Sequence, residues 1–171
     1  MINIEIKAKI YNPEKARNYL RNEHAEFIGV DHQIDTYFAV KTGKLKLREG
    51  NIENALIYYI REAVATPKKS EIMLYKLQKG SVLKDILLKI LDVDIIVDKK
   101  REIYFIDNVK FLIDEVKGLG NFIEIEAIDE NETIGDEILR RQCERYVDAL
   151  GVSPSDLLKN SYSDMLKEIS R

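Results

Sequence analysis

Cysteine occurs once in this chain of 171 residues, at Cys143; histidine occurs twice, proline three times and tryptophan not at all. A single cysteine excludes an internal disulfide. Cys143 falls among the apolar positions of a helical pattern, where buried packing outweighs catalysis as its role. Two histidines and one cysteine argue against a zinc site built from nitrogen and sulfur ligands. Any metal is therefore expected on oxygen, as Mg2+ or Mn2+. No apolar run approaches the ~20 residues of a membrane span. The chain opens directly into a strand pattern, so no secretory leader is expected. An excess of basic charge is also lacking: 27 Lys and Arg against 30 Asp and Glu give a net charge of −3. General nucleic-acid binders are usually strongly basic, so that class is set aside. The expectation is a cytoplasmic protein with neither membrane nor nucleic acid as partner.

What is present suits a folded chain. The apolar fraction is 45% and the charged fraction 33%, which disfavours disorder, and the length fits one domain over 1–171 with a real core. Asn12-Pro13-Glu14 reads as a helix start, with Ala16, Tyr19 and Leu20 inward and an end near Glu23. β-formers fill 33–40 (Q-I-D-T-Y-F-A-V), and Thr42-Gly43 turns the chain into a strand at 44–49. Residues 56–61 and 70–77 give two further strands. Between Gly80 and Leu91 the period becomes helical through Leu83, Ile86, Leu87, Ile90 and Leu91. Strands follow at 94–105, 109–116 and 122–128. Residues 133–150 then form an amphipathic helix with Ile134, Ile138, Leu139, Cys143, Tyr146, Val147 and Leu150 inward and Gly151 past its end. Short helices are expected near 154–158 and from Ser161. His24 and His32 fall in or beside a loop with no ligand pattern around them. The order implies an α+β fold with a mostly antiparallel sheet.

The strands carry an unusual pattern. Alternate side chains point to opposite faces of a strand. In N-I-E-I-K-A-K, Asn3, Glu5, Lys7 and Lys9 therefore oppose Ile4, Ile6, Ala8 and Ile10. The same parity groups Lys44, Lys46 and Arg48, places Arg61 with Tyr59, pairs Lys99 with Arg101, and pairs Glu124 with Glu126. Asp114 shares a face with Leu112. The plain alternative is an open antiparallel sheet with one wet face. Wet faces usually mix Thr, Ser and Gln with charge, however, whereas these repeat Lys and Arg. Arg suits planar oxyanions and Lys adds point charge. Closing the sheet would gather the cations where phosphate could neutralise them.

At these residues the chain resembles the CYTH family, which includes class IV adenylate cyclases and thiamine triphosphatases among the triphosphate tunnel metalloenzymes. The family's E-x-E-x-K reads here as Asn3-Ile4-Glu5-Ile6-Lys7. D-T-Y-F (35–38), L-K-L-R-E (45–49), K-K-R-E-I-Y (99–104), D-E-V-K-G-L-G-N-F-I-E-I-E (114–126) and S-Y-S-D (161–164) extend the likeness along nearly the whole chain, closest to the class IV cyclases. The resemblance implies a closed eight-stranded antiparallel β-barrel, a tunnel with helices packed outside and charged faces inside. It implies Glu5, Asp114, Glu124 and Glu126 as metal ligands. It implies Lys7, Arg48, Arg61, Lys99 and Arg101 as the grip on the triphosphate, with Lys9, Lys44 and Lys46 as further substrate contacts. Asn3 departs from the pattern: an amide replaces the first glutamate and brings no charge to one of two possible metal sites.

Three functions follow as expectations. Attack by the ribose 3′-hydroxyl of ATP gives cyclic AMP and pyrophosphate; attack by water makes a triphosphatase. The third is a non-catalytic binder of polyphosphates, which the loss of charge at Asn3 would favour. The partner is a triphosphate small molecule, with a homodimer as a further possibility.

Overall fold

The computed structural model describes residues 2–61 and 64–170. Among these, eight strands and four α-helices alternate as β1 (Ile2–Lys9), α1 (Pro13–Asn22), β2 (Glu26–Phe38), β3 (Lys44–Glu49), β4 (Ala55–Arg61), β5 (Lys68–Lys76), α2 (Leu83–Ile90), β6 (Val93–Ile106), β7 (Val109–Val116), β8 (Gly120–Asp129), α3 (Asp136–Leu150) and α4 (Tyr162–Ile169). The strands close into one antiparallel barrel in the order β1-β5-β4-β3-β2-β6-β7-β8. Closure depends on β1, which pairs with β8 from Ile2↔Asp129 to Lys9↔Phe122 and with β5 from Ile2↔Glu71 to Glu5↔Lys68. Register shifts in β2, at Phe27/Gly29 and Tyr37/Phe38, mark irregularities of the kind that bend and twist a strand around a barrel.

The period-2 sequence of β1 now has a physical reading. Ile4, Ile6 and Ala8 face outward and join Phe111, Ile113, Ile123 and Ile125 beneath Leu139, Cys143, Tyr146 and Leu150 of α3 and Leu20 of α1. The main core thus lies outside the barrel, between its wall and the helices, which leaves the inner face free for charge. Burial lifts the Cys143 thiol to about 12, as suits a packing residue. Local signals set the helix ends. The Asn12 side chain accepts from the Glu14 amide at 3.1 Å ahead of Pro13. Gly151 ends α3 in a left-handed conformation at φ +65°. Ser161 and Asp164 form a reciprocal capping box at the start of α4.

Three expectations change. The loop reading around His24 and His32 holds only for His24; β2 begins at Glu26, and His32 lies on its outer face, bonded to Asp98 at 2.7 Å. Gly29 and the register shift beside it interrupt the alternation that marks the rest of the strand. Ile138 is exposed, because α3 packs through Leu139, Cys143, Tyr146 and Leu150 and leaves Ile138 beyond the stripe. In α2 only Leu87 is fully buried, against Phe38 and Leu47; Ile86 and Ile90 face out from a helix too short to cover more of the wall.

Candidate active site

The barrel encloses a cavity of about 770 Å³. Its lining takes one parity from the strands: Asn3, Glu5 and Lys7 of β1, Asp35 and Tyr37 of β2, Lys46 and Arg48 of β3, Arg61 of β4, Lys99 and Arg101 of β6, Lys110 of β7, and Glu124 and Glu126 of β8. With Lys76, eight cationic side chains line it against six carboxylates, Glu53 and Glu130 completing the latter. The lumen is therefore net positive in an acidic protein. Strand register decides which charges meet. Glu5 lies opposite Glu126, and Lys7 opposite Glu124, across the β1–β8 ladder. Arg101 lies opposite Asp114 across β6–β7.

Two buried carboxylates organise the cations. Asp35 accepts from Lys99 at 2.8 Å, from Lys46 at 3.0 Å and from Arg48 through two bonds of 2.8 and 3.0 Å. Burial alone would raise its pKa, but Arg48, Lys46 and Lys99 outweigh it and hold Asp35 well below the usual carboxylate range. Asp114 accepts two bonds from the Nε–Nη2 edge of the Arg101 guanidinium and one from the Tyr162 hydroxyl, the last at 2.7 Å. Arg101 also reaches Glu124 at 3.3 Å, and Lys7 reaches the other Glu124 oxygen at 3.0 Å. These two cations, with Lys99, overcome the burial of Glu124 and keep it ionised. Lys99 shows the opposite balance: burial, helped by Arg48, Arg101 and Lys46, draws it down to about 7 despite Asp35.

A third carboxylate enters from a loop. Asp31, wholly buried, accepts the backbone amides of Asn51, Ile52 and Glu53 at 2.5, 2.8 and 2.9 Å. Gly50 passes so close that an added Cβ would lie 2.7 Å from the Asp31 oxygens, so only glycine fits there. The loop is thus fixed, and it sends Glu53 between Arg48 and Lys110.

The predicted residues fall into two groups. Glu5, Lys7, Lys46, Arg48, Arg61, Lys99, Arg101, Glu124 and Glu126 line one cavity. Lys9 does not: it lies at the exposed end of β1, 5.9 Å from the Tyr11 ring. Lys44 is held under the barrel end by Ser161, Ser163 and Asp164 rather than lining the lumen. Asp114 is fully buried behind Arg101. The same reasoning missed Asp35, Glu53, Lys110 and Tyr162. Parity with Tyr37 and with Asp114 gives away Asp35 and Lys110; nothing periodic marks Glu53.

The fold family implies a divalent metal, and the donors suit one. Glu5 and Glu126 are cross-strand neighbours, and the buried Asn3 Oδ1 on the same face has no hydrogen-bond partner. Among the described residues no three of His, Cys, Asp or Glu converge into a ready cage. Glu5, Glu126 and the Asn3 amide are hard oxygen donors, which suit Mg2+ or Mn2+ held by one or two carboxylates with phosphate oxygens and water completing the shell. Glu126, at about 7, is raised by burial and by Glu124 and Glu5, against the pull of Lys110.

Comparison with known proteins agrees with this geometry. A Methanocaldococcus jannaschii protein named "putative adenylate cyclase" is 26% identical over 173 residues, covering 96% of this chain and 98% of that one. A Vibrio parahaemolyticus structure of the same name superposes with a TM-score of 0.78 at 20% identity, covering 98% of each chain. A Hippeastrum structure, named "putative adenylyl cyclase" and described as revealing a dominant triphosphatase activity, superposes at 0.62 and 12% identity over 99% of this chain and 95% of that one. At such identities these two structures establish the fold alone. The family model of the CYTH domain matches residues 1–162, and with the tunnel and its charged lining in place the chain belongs to the CYTH family.

Proposed function

We propose that the protein is a metal-dependent enzyme that converts ATP to cyclic AMP and pyrophosphate in the barrel lumen. The observation that carries this reading is the convergence of Lys7, Arg48, Arg61, Lys99 and Arg101 on one cavity that also presents the Glu5–Glu126 carboxylate pair. A triphosphate brings several negative charges, and its cleavage needs charge neutralised on the leaving group and on the attacked phosphorus. The arginines supply forked donors for phosphate oxygens, and the lysines add point charge. Their geometry is set before substrate arrives, because Asp35 fixes Arg48 and Lys99, and Asp114 fixes Arg101. Glu5 and Glu126, joined by the Asn3 amide oxygen and by Glu124 once phosphate takes over its cations, would hold the metal. When bound, the metal supplies Lewis-acid neutralisation of the phosphate oxygens.

The lining also supports a nucleotide over inorganic tripolyphosphate as the substrate. Ile52, Leu74, Leu77, Phe105 and Ile128 add apolar surface around the Glu53 end of the cavity, at the far end of the strands from Tyr162. Inorganic tripolyphosphate has no use for apolar surface, whereas a nucleoside does. The relative named an adenylate cyclase supports this choice, and the Hippeastrum protein supports hydrolysis as the competing outcome. Incubation with ATP, tripolyphosphate and thiamine triphosphate in Mn2+ or Mg2+ decides among them. Cyclic AMP with pyrophosphate is expected from ATP. Inorganic phosphate as the main product would make the protein a triphosphatase, and binding without turnover would make it a non-catalytic binder.

A further inference from the structure

The chain's last helix does more than close the barrel. Leu157 bridges Ala8, and the Leu158 amide donates to the Lys7 carbonyl at 2.8 Å. The buried Lys68 ammonium donates to the Leu158 carbonyl at 3.0 Å. Lys44 grips the start of α4 through Ser161 Oγ at 2.6 Å and both Asp164 oxygens at 2.6 and 2.7 Å. These anchors drive Tyr162 into the barrel end against Phe122, with ring centroids 5.0 Å apart.

There Tyr162 makes two contacts with the charged lining. Its ring face lies 3.6 Å from the Lys7 ammonium, a close cation–π arrangement. Its hydroxyl donates to Asp114 Oδ2 at 2.7 Å, and Asp114 holds Arg101 through Nε and Nη2. Lys7 and Arg101 are the two cations on Glu124. A single side chain from the C-terminal helix therefore touches one member of the cationic pair, Lys7, through its ring face and the carboxylate that holds the other, Arg101, through its hydroxyl.

We propose that Tyr162 is a positioning residue of the active site, aiming Lys7 directly and Arg101 through Asp114 at the phosphate chain. This rests on the reading that the lumen cleaves a triphosphate. The ring face fixes the ammonium in direction as well as place, since a lysine on four flexible carbons would otherwise sample many rotamers. The hydroxyl completes the acceptor demand of a carboxylate that water cannot reach.

Two variants divide the contacts. Tyr162→Phe keeps the ring and removes the hydroxyl; Tyr162→Leu removes both. The test that needs no substrate is the NMR signal of the Lys7 ε-methylene, identified by its loss in Lys7→Arg. It is expected far upfield from the ring current in the wild type and in Tyr162→Phe, and at an ordinary position in Tyr162→Leu. The kinetic arm measures kcat and KM for ATP per folded molecule. Tyr162→Phe is expected to lower kcat by about tenfold, the scale for loss of a supporting hydrogen bond. Tyr162→Leu is expected to lower it by about a hundredfold, the scale of a misplaced group. An ordinary Lys7 signal in the wild type overturns the proposal, as does wild-type kcat in folded Tyr162→Leu. If the wild type shows the upfield signal but turns over no triphosphate, the functional reading falls while the placement of Lys7 by Tyr162 stands.

Discussion

Asp35→Asn tests the electrostatic design of the lumen most severely. The substitution keeps the shape of the side chain and removes the one charge that neutralises Lys46, Arg48 and Lys99 together. Arg48 and Lys99 are almost wholly buried, so neither can turn to water for compensation. Removing one partner of a buried ion pair typically costs about 3–5 kcal/mol. Because the three cations share one carboxylate, their losses do not add, and that range serves for the whole cluster. A chain of this size loses roughly 2–4 °C of Tm per kcal/mol, so a fall of about 6–20 °C is expected. Anion binding should move the other way. With the internal anion removed, Arg48 and Lys46 lose their shared counter-charge and Lys99, already down at about 7 beside Asp35, gives up its proton. Inorganic tripolyphosphate would supply the missing negative charge and should raise the Tm of the variant more than that of the wild type. Thermal unfolding of both proteins, with and without 1 mM tripolyphosphate, measures both effects. An unchanged Tm would refute the role of Asp35 as the shared counter-charge, and a smaller tripolyphosphate shift in the variant would refute the idea that its cations await an anion.

Three further outcomes follow from the same lining. Glu5→Gln should retain the fold yet lower turnover by about a hundredfold or more, within the range for loss of one charge-stabilising group; activity at the wild-type level, or undiminished in chelator, would remove Glu5 from the metal site. Glu126 should make metal binding pH-dependent. Burial and the neighbouring Glu124 and Glu5 raise its folded pKa to about 7, above the ordinary carboxylate value. Its stability contribution is therefore complete below the unfolded pKa and lost as pH rises through about 7, while Mn2+ must displace its proton below about 7. Calorimetric Mn2+ affinity should rise from pH 5.5 to about 7 and then level off, and Glu126→Gln should abolish that slope. Asn3→Glu places a carboxylate beside Glu5 on the lumen face where Asn3 Oδ1 now lacks a partner, so it should tighten Mn2+ binding and raise activity at low Mn2+; a lower Tm without tighter binding would show like-charge repulsion instead.

How much of this the sequence discloses depends on what kind of order each feature obeys. Alternation obeys a period, so the two faces of β1, β3 and β8 are legible residue by residue. Closure obeys no local rule. It requires β1 to pair with both β5 and β8, contacts between distant parts of the chain that only the family resemblance implied. Lys9 shows the limit of parity. It shares a face with Lys7, but β1 ends there, and a side chain at a strand end projects past the rim. Asp114 shows a second limit: its face is legible, whereas the register that sets Arg101 opposite and occupies its oxygens is not. Glu53 stands on a loop, and its place depends on Asp31 gathering three backbone amides from about twenty residues away. Asp35 and Lys110 were within reach of the alternation rule and escaped notice, because one aspartate in D-T-Y-F or one lysine in V-K-F-L-I-D makes no visible run.

The lining finally explains how a cation-rich tunnel balances its own charge. Its carboxylates divide by accessibility. Asp35 and Asp114 are fully buried and accept from several donors each, so they serve as permanent counter-charges that orient the cations. Glu53, Glu5 and Glu124 keep some exposure and each engages cations that also face the cavity: Arg48 and Lys110, Arg61, and Lys7 with Arg101. On the proposed reading, a phosphate chain entering the lumen would compete with this second set, oxygen for oxygen. Binding is then an exchange of internal carboxylates for substrate phosphates, with much of the desolvation of the cations already met during folding. On the proposed reading, the same exchange would release Glu5 and Glu124 beside Glu126, the residues proposed to hold the metal. Charge balance within the tunnel and, on that reading, release of the metal-holding carboxylates are thus two consequences of one set of ion pairs.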